Sequence, residues 1–323
     1  MVIADDLAEI TVGHGKVETM NKIVCFVLCA CLIWSCKEKE PEETYTRGSA
    51  HIGTSDAVLE LAAYVAYQYS DIHTSAFISV WRHTTQALID SLANGRVEEI
   101  IIDRAFSKEE SLAFAQHNLK LFTYPVAHYP IYLLVPESLA VEDIDSIGVR
   151  RILEGKAQSW KEFGGADIRI TPYAPLPGEG AWNSLMSFFG ELDSVAAVVC
   201  STNTRMMELA GNDPGALLIF SKKTSDAIGF KKLRWAQGEL RIPANAKTIL
   251  ESPRWPFMTT FTYATTHMKS DVAAGFLTFI VSNDGQKIVM KEGYRPASVP
   301  VRVIQLKSEP NGLKDTTVTD TTS

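Results

Sequence analysis

The chain has 323 residues, of which 46% are hydrophobic and 21% are charged, and its formal net charge is −7 at pH 7. These values are typical of a soluble globular protein, and the length allows one large domain or two lobes with a substantial core. The acidic balance argues against nucleic acid as a partner, because proteins that bind nucleic acid present a basic face.

A short apolar segment near the beginning of the chain predicts export. Residues 20–36 read MNKIVCFVLCACLIWSC, in which a lysine precedes an apolar run that ends at Trp34. The run is well short of the roughly 20 residues that a membrane-spanning helix needs, and its order is typical of a secretory signal. A small residue followed by cysteine resembles a bacterial lipoprotein signal. We therefore expect residues 20–35 to be a signal peptide and Cys36 to be lipidated, with a buried hydrophobic helix as the alternative.

The segments that flank the folded region have their own compositions. Residues 1–19 are mixed and acidic, and we expect them to be an upstream extension from a start codon assigned too early. Residues 36–48 are charged and lack apolar periodicity, which predicts a flexible tether. Residues 307–323 are predicted to be a disordered tail. Cys200 is the one cysteine after residue 36 and lies in an apolar run, so we interpret it as a small buried hydrophobic residue.

Between these segments, short β-rich runs alternate with stretches of helical spacing. In chain order the patterns predict a strand at 50–53, a helix at 55–69, a strand at 77–80, a helix at 85–93, a strand at 100–102, a helix at 108–117, strands at 131–135 and 167–173, and helices at 182–189, 203–210 and 271–281. This order predicts an α/β fold with mostly parallel sheets flanked by helices. In such sheets ligands bind beyond the carboxyl ends of the strands, near helix N-termini.

Several segments together resemble the substrate-binding proteins of phosphate ABC transporters, within the periplasmic type 2 solute-binding superfamily. They follow the family's order and cover most of residues 50–305. The matching segments are GTSDAVLELAAYVAYQY (53–69), LIDSLANGRVEEIIID (88–103), ILEGKAQSWKEFGGADIRITPY (152–173), SPRWPFMTTFTYATT (252–266) and AAGFLTFIVSNDGQKIVMKEGYRPASVP (273–300).

The resemblance implies a two-lobed fold like that of periplasmic binding proteins, with the ligand in the cleft between the lobes. Lobe one is expected to comprise residues 49–135 and 251–306, and lobe two residues 136–250. Such a protein is a monomer in the cell envelope, periplasmic or surface-exposed. It closes on a solute and delivers it to an ABC permease, with no cofactor, no metal and no reaction of its own.

The first family loop is a glycine followed by small hydroxyl residues at a helix start, matched here by Gly53, Thr54, Ser55 and Asp56. Thr54 and Ser55 match as hydrogen-bond donors to an anion. Asp56 occupies a place that is more often neutral. It is interpreted either as part of the binding site or as a helix N-cap or first-turn acid.

Two further positions match ligand-binding residues of the family. Thr85 falls on a ligand serine whose flanking glycines are absent here, and either Thr84 or Thr85 could instead cap a helix. Asp103 follows a buried strand and matches the aspartate that often accepts the proton of the ligand. Arg104 is expected to face the same cleft, with an Asp103–Arg104 pair that caps the next turn as the alternative.

The third family loop departs from the pattern of an arginine, three residues, and then serine, glycine and threonine. Here Pro175 replaces the arginine, Glu179 replaces the serine and Ala181 replaces the threonine, whereas Gly178 and Gly180 persist. The helix that follows could still offer backbone N–H groups to an anion.

The changed loop bears directly on phosphate binding. At an effective dielectric of about 20, two unit charges roughly 4 Å apart interact by about 4 kcal/mol, whereas a charge-assisted hydrogen bond contributes about 1.5–3 kcal/mol. Glu179 in the cleft would therefore oppose a bound dianion. Binding could survive if Arg82, Arg104 or Arg205 supplied charge, or if Glu179 pointed outward. Otherwise the ligand could be neutral or cationic.

Two functions are therefore in competition. The first is a lipid-anchored receptor for phosphate or another oxyanion in ABC uptake. The second is a diverged lipoprotein of the same fold with another ligand, or with a sensing or interaction role, because the third loop has lost its arginine, serine and threonine. An enzyme is not expected, since the sequence contains no metal-spaced histidine set, no P-loop and no nucleophile elbow.

Overall fold

The computed structural model describes residues 42–221, 227–244 and 254–298. The predicted upstream extension, the signal peptide, Cys36 and the predicted tail lie outside the described residues. Within the described ranges, no helix is long and apolar enough to cross a membrane.

Strands occupy fourteen segments of the described residues. They are β1 (Arg47–Thr54), β2 (Ser75–Arg82), β3 (Glu99–Ile102), β4 (Phe122–Pro130), β5 (Tyr132–Pro136), β6 (Asp143–Asp145), β7 (Thr171–Pro175), β8 (Val198–Cys200), β9 (Ala216–Phe220), β10 (Phe230–Lys232), β11 (Arg234–Gln237), β12 (Leu240–Ile242), β13 (Met258–Thr265) and β14 (Arg295–Pro296).

Helices alternate with these strands along the chain. They are α1 (Leu59–Ile72), α2 (Thr85–Ala93), α3 (Lys108–Gln116), α4 (Ser146–Leu153), a 3₁₀ helix (Trp160–Phe163), α5 (Gly180–Phe189), α6 (Asn203–Ala210), α7 (Val272–Val281) and α8 (Asn283–Lys291). The alternation confirms the predicted α/β class.

The first lobe is built around a six-stranded sheet in the order β14–β4–β13–β3–β1–β2. Strand β1 runs parallel to β2 and β3. Strand β13 is antiparallel to both β3 and β4, and β14 is antiparallel to β4. The prediction of a mostly parallel sheet is therefore wrong here. The chain leaves this sheet through β4 and comes back to it through β13, and these two strands pair in opposite directions.

The second lobe contains a five-stranded sheet in the order β10–β5–β9–β7–β8 and a three-stranded sheet in the order β12–β11–β6. In the larger sheet, β7 is parallel to β8 and β9, whereas β5 is antiparallel to β9 and β10. This sheet is also mixed. Strand β5 belongs to this sheet of the second lobe, although the predicted boundary at 136 assigned all but its last residue to lobe one. The remaining lobe limits stay predictions.

Three predicted segments differ from the observed elements. The helix predicted at 55–69 begins at Leu59, because the amides of Val58 and Leu59 both donate to the Ser55 carbonyl in a turn. The strand predicted at 167–173 begins at Thr171, because the preceding residues pair with the loop at 158–160. The predicted tether overlaps β1, which begins at Arg47.

Apolar packing fixes the helix starts of the first lobe. All four residues of β3 are buried, as expected for a central strand that is covered on both faces. Leu88 and Leu92 of α2 pack with Ile100 and Ile102 of β3 in one buried cluster. Each such side chain contributes about 1.5–3 kcal/mol when fully buried. This packing holds the first residue of α2 beside the end of β3.

Candidate functional site

The carboxyl ends of the parallel strands form one edge in each lobe. In the first lobe, Thr54 at the end of β1 lies opposite Arg82 and Ile101 of its two neighbours. In the second lobe, Pro175 at the end of β7 lies opposite Cys200 at the end of β8. The loops that follow these ends carry the predicted site residues. Hydrogen bonds between residues of these loops join the two edges across a cleft.

Glu179 extends from the second lobe to the start of α2 in the first. It is the N-cap residue of α5, yet its side chain makes no capping bond to its own helix. The Thr85 N–H donates to Glu179 Oε1 at 2.9 Å, and the Thr85 hydroxyl contacts Oε2 at 2.8 Å. A helix N-terminus favours a carboxylate. Glu179 therefore points into the cleft and not outward.

Asp103 makes the reverse contact, from the first lobe to the start of α5. Its side chain accepts from the Gly180 N–H at 2.9 Å through Oδ2, and Oδ1 lies 3.0 Å from the Thr85 hydroxyl. The Thr259 hydroxyl donates to the Asp103 carbonyl. A Cβ atom at Gly180 would lie 1.9 Å from that carbonyl oxygen. Only glycine therefore allows the two loops to come this close.

Asp56 forms a third contact of this kind, with the start of α6. Its Oδ2 accepts from the Asn203 N–H at 2.9 Å and from Asn203 Nδ2 at 3.0 Å. The N-cap residue of α1 is Val58, and the acid in the first turn of that helix is Glu60. The interpretation of Asp56 as a cap or first-turn acid is therefore wrong, because its carboxylate serves a helix of the opposite lobe.

The three contacts share one pattern. Each carboxyl group accepts from the backbone N–H of the first residue of a helix in the other lobe. These first residues are Thr85, Gly180 and Asn203. The chain's own acids thus take the helix N-termini that an anionic ligand would use.

Burial and mutual repulsion change the titration of two of these acids. Burial raises the pKa of Asp103 above its ordinary value. Burial and the neighbouring Asp103 charge raise the pKa of Glu179 to about 7. The Thr85 hydroxyl has a single proton but contacts both carboxyl groups. A proton kept by one of the two acids would let that acid donate to this oxygen while the hydroxyl donates to the other acid.

The three candidate cations have partners of their own. Arg104 is buried; its Nε donates to the Gly178 carbonyl at 2.7 Å, and its two terminal nitrogens bind Glu110 at 2.7 and 2.8 Å. Arg104 therefore lies at the cleft edge and does not form the alternative capping pair with Asp103. Arg82 Nε lies 3.9 Å from Asp56, and the exposed Arg205 pairs with Glu208.

The hydroxyl residues of the first two loops have distinct roles. Thr54 is buried and its hydroxyl donates to the Trp81 carbonyl at 3.3 Å. The Ser55 hydroxyl is buried and has no hydrogen-bond partner among the described residues. Thr84 is the N-cap of α2 and accepts from the Ala87 N–H, which leaves the Thr85 hydroxyl for the cleft.

The rest of the third loop shapes the start of α5. Gly178 has a φ of +92°, a left-handed conformation that favours glycine, and its carbonyl accepts from Arg104. Ala181 is buried in the first turn of α5. It packs against the core and offers no hydroxyl where the family has threonine.

A cavity of about 20 Å³ remains between the acids. Its lining includes Asp56, Asp103, Glu179, Cys200, Asn203 and Ser221. This volume suits about one water molecule. Cys200 is buried, as predicted. Among the described residues, no group of three or more His, Cys, Asp or Glu side chains could hold a metal ion.

Sequence reasoning missed Asn203 and Ser221 of the second lobe. Asn203 Nδ2 also donates to the Ser221 hydroxyl at 3.2 Å, and the Ser221 N–H donates to Asn203 Oδ1. Both residues follow carboxyl ends of strands, namely β8 and β9. Recognising the apolar runs before them as strands would have placed both at the cleft.

Comparisons with known proteins show the family to which this fold belongs. A family model described as a PBP superfamily domain matches residues 39–284. A relative from Borreliella burgdorferi, phosphate-binding protein PstS, is 22% identical over 282 residues, which cover 84% of this chain and 96% of that protein. The protein of the same name from Bacillus subtilis is 24% identical over 274 residues, which cover 84% and 86%.

Solved structures show the same fold. A substrate-binding protein from Clostridium perfringens with bound phosphate, assigned to a phosphate ABC transporter, has a TM-score of 0.68 at 20% identity and covers 78% of this chain and 100% of its own. An ABC-type phosphate transport receptor from Vibrio cholerae has a TM-score of 0.59 at 19% identity and covers 76% and 99%. These matches confirm the predicted resemblance and the two-lobed fold. The chain therefore belongs to the PBP superfamily.

Proposed function

We propose that this chain is an extracytoplasmic solute-binding protein that takes up phosphate or a related oxyanion between its lobes and delivers it to a membrane permease. One observation carries the proposal. Helix N-termini of both lobes converge on the cleft, and each of them already binds a carboxylate oxygen. Donors that bind a carboxylate are chemically suited to a tetrahedral oxyanion. The relatives named phosphate-binding protein support the choice of anion.

The donors suggest how such an anion would sit. It would take the Thr85 N–H and hydroxyl, which now serve Glu179. The unpartnered Ser55 hydroxyl would supply a further donor, and Asp103 would accept the proton of a protonated oxyanion. The relatives are binding and transport proteins, and the proposed role requires no reaction.

A Ser55→Ala substitution tests the proposal. The Ser55 hydroxyl has no partner among the described residues, so its loss costs the fold little. A bound oxyanion would lose one donor, which corresponds to about 1–3 kcal/mol, or roughly tenfold or more in Kd. Isothermal titration with inorganic phosphate at pH 8 should show this weakening with an unchanged Tm.

A matched control is Ser75→Ala, at the exposed first residue of β2. It should bind phosphate as the wild type does. Equal affinity in the wild type and in Ser55→Ala would remove Ser55 from the site. A wild-type protein that gives no heat with phosphate, sulfate or arsenate would contradict oxyanion binding altogether.

A second candidate function is favoured by Glu179. Its carboxyl group fills the place of a ligand oxygen, and Pro175 stands where the family arginine would be. These features favour a diverged binding protein with another ligand or a sensing role. The titration with three oxyanions distinguishes the two candidates, because this second one predicts no response.

We also propose that the protein is anchored in the cell envelope through a lipid on Cys36. The signal-like residues before Cys36 and the extracytoplasmic role support the anchor. Mass spectrometry of the mature protein should find a lipid-modified Cys36 at its N-terminus. An unmodified Cys36 within a longer cytosolic chain would contradict this placement.

A further inference from the structure

We infer that Glu179 is a built-in ligand of the cleft, whose carboxyl group holds the lobes together and must be displaced when a solute oxyanion binds. The inference rests on the proposed function for the identity of the solute. It goes beyond that function because it assigns to one residue of the chain the place of the solute.

The position of Glu179 in its own helix is the first argument. An N-cap side chain ordinarily accepts a hydrogen bond from its own helix, but this one does not. Glutamate is also long enough to reach across the cleft to Thr85, at 2.9 and 2.8 Å. The family serine at this position is too short to span the same gap. The side chain therefore serves the opposite lobe and not α5.

The donors that Glu179 uses are the second argument. Thr85 is the family's ligand position in the second loop, and both its N–H and its hydroxyl contact Glu179. A solute oxygen cannot use these donors while the carboxyl group remains there. Binding would therefore be an exchange of one acid group for another.

The space in the cleft is the third argument. The cavity beside Glu179 has a volume of about 20 Å³. This volume suits about one water molecule and is too small for a tetrahedral oxyanion. Withdrawal of the Glu179 side chain would free the volume that the solute needs. Displacement and entry are therefore one event.

The surrounding charges link the exchange to protons. Among the described residues, the titratable groups Asp56, Asp103 and Cys200 line the cavity with Glu179. Arg82 lies 3.9 Å from Asp56, Arg104 donates to the Gly178 carbonyl, and His83 accepts from the Thr84 N–H, next to Thr85. Burial and the Asp103 charge raise the pKa of Glu179 from 4.5 to about 7. Below that pH the protonated acid bonds well in the cleft. Above it, repulsion from Asp103 loosens Glu179. Displacement should therefore be easier at pH 8 than at pH 6.

The experiment compares Glu179→Ala with Glu179→Gln and the wild type. The alanine removes the internal ligand, so inorganic phosphate should bind at least about tenfold more tightly in isothermal titration, the size of one charge-assisted bond. In the glutamine variant the amide oxygen can accept from the Thr85 N–H. Its NH₂ can donate to the Thr85 hydroxyl, which then donates to Asp103. The glutamine variant should therefore gain no affinity.

A purely structural role for Glu179 would move both variants in the same direction. Glu191→Ala, an exposed acid just after α5, is the matched control and should bind as the wild type does. Wild-type affinity in Glu179→Ala would overturn the inference and leave the proposed function standing.

A second measurement decides the inference if no variant binds phosphate, an outcome that contradicts the proposed function. Small-angle X-ray scattering of the protein without phosphate should then give a larger radius of gyration for Glu179→Ala than for Glu179→Gln and Glu191→Ala. Equal radii in all variants would overturn the inference, because Glu179 would not hold the lobes together.

Discussion

At the scale of single residues, Glu179 and Asp103 meet at one hydroxyl group, that of Thr85. Two ionised carboxylates repel each other there, and both acids have a raised pKa. The raised pKa of about 7 for Glu179 reflects burial and this neighbour. The sequence predicts that Glu179 would oppose a bound dianion, and this stays a prediction. The sequence does not predict that Glu179 would accept hydrogen bonds from Thr85 at the start of α2.

Gly180 lets the start of α5 lie directly against the Asp103 carbonyl, and a single added methyl group should disrupt this contact. In Gly180→Ala the Cβ atom would lie 1.9 Å from the Asp103 carbonyl oxygen. The clash would be with a backbone atom, which cannot rotate away as a side chain can. The lobes must therefore separate or remain strained, at a cost of about 1–3 kcal/mol. We expect a lower Tm and a larger radius of gyration.

Gly211→Ala is a suitable control for this change, because Gly211 has an ordinary helical φ of −58°. A Cβ atom added at Gly211 would lie 3.2 Å from the nearest heavy atom, the Met207 carbonyl oxygen. If Gly180→Ala melts and scatters like Gly211→Ala, the close approach does not hold the two loops together.

At the scale of elements, the cleft is made of helix starts that follow strand ends. The helix at 85–93 was predicted with its observed limits, because its apolar face packs on the buried β3. The sequence also predicts the end of β3, and so places Asp103 directly after that strand, as observed. Local patterns suffice where one strand and its neighbouring helix pack on each other.

Contacts between lobes could not be predicted in the same way. Asp56 looks like a capping residue from its neighbours in sequence, but its partner Asn203 is far along the chain. Likewise, no local pattern gives the antiparallel pairing of β13 with β3 and β4. Both features depend on how the chain passes from one lobe to the other and back. The periodicity of apolar residues along the sequence contains no information about this.

At the scale of the whole molecule, stability should fall as pH rises through the range in which the buried acids titrate. Burial raises the pKa of Glu179 and of Glu99 from 4.5 to about 7. The unfolded chain releases these protons near pH 4.5, whereas the folded protein keeps them until about pH 7. The unfolded state therefore binds fewer protons in this window, and each group removes at most about 3 kcal/mol by pH 8.

Urea unfolding at pH 5 and pH 8 measures this loss. We expect a higher midpoint at pH 5, a smaller difference in Glu179→Gln, and a wild-type difference in the exposed control Glu191→Gln. A midpoint that rises from pH 5 to pH 8 would show that the two acids are ionised in the folded protein.

The direction of the three acid contacts determines how the lobes can part. Asp56 and Asp103 project from the first lobe into the second, whereas Glu179 projects the other way. Opposed projections of this kind resist sliding of one sheet along the other as well as separation. Sliding of one lobe along the other is therefore the costly motion. The lobes should instead open by rotation about the chain segments that join them.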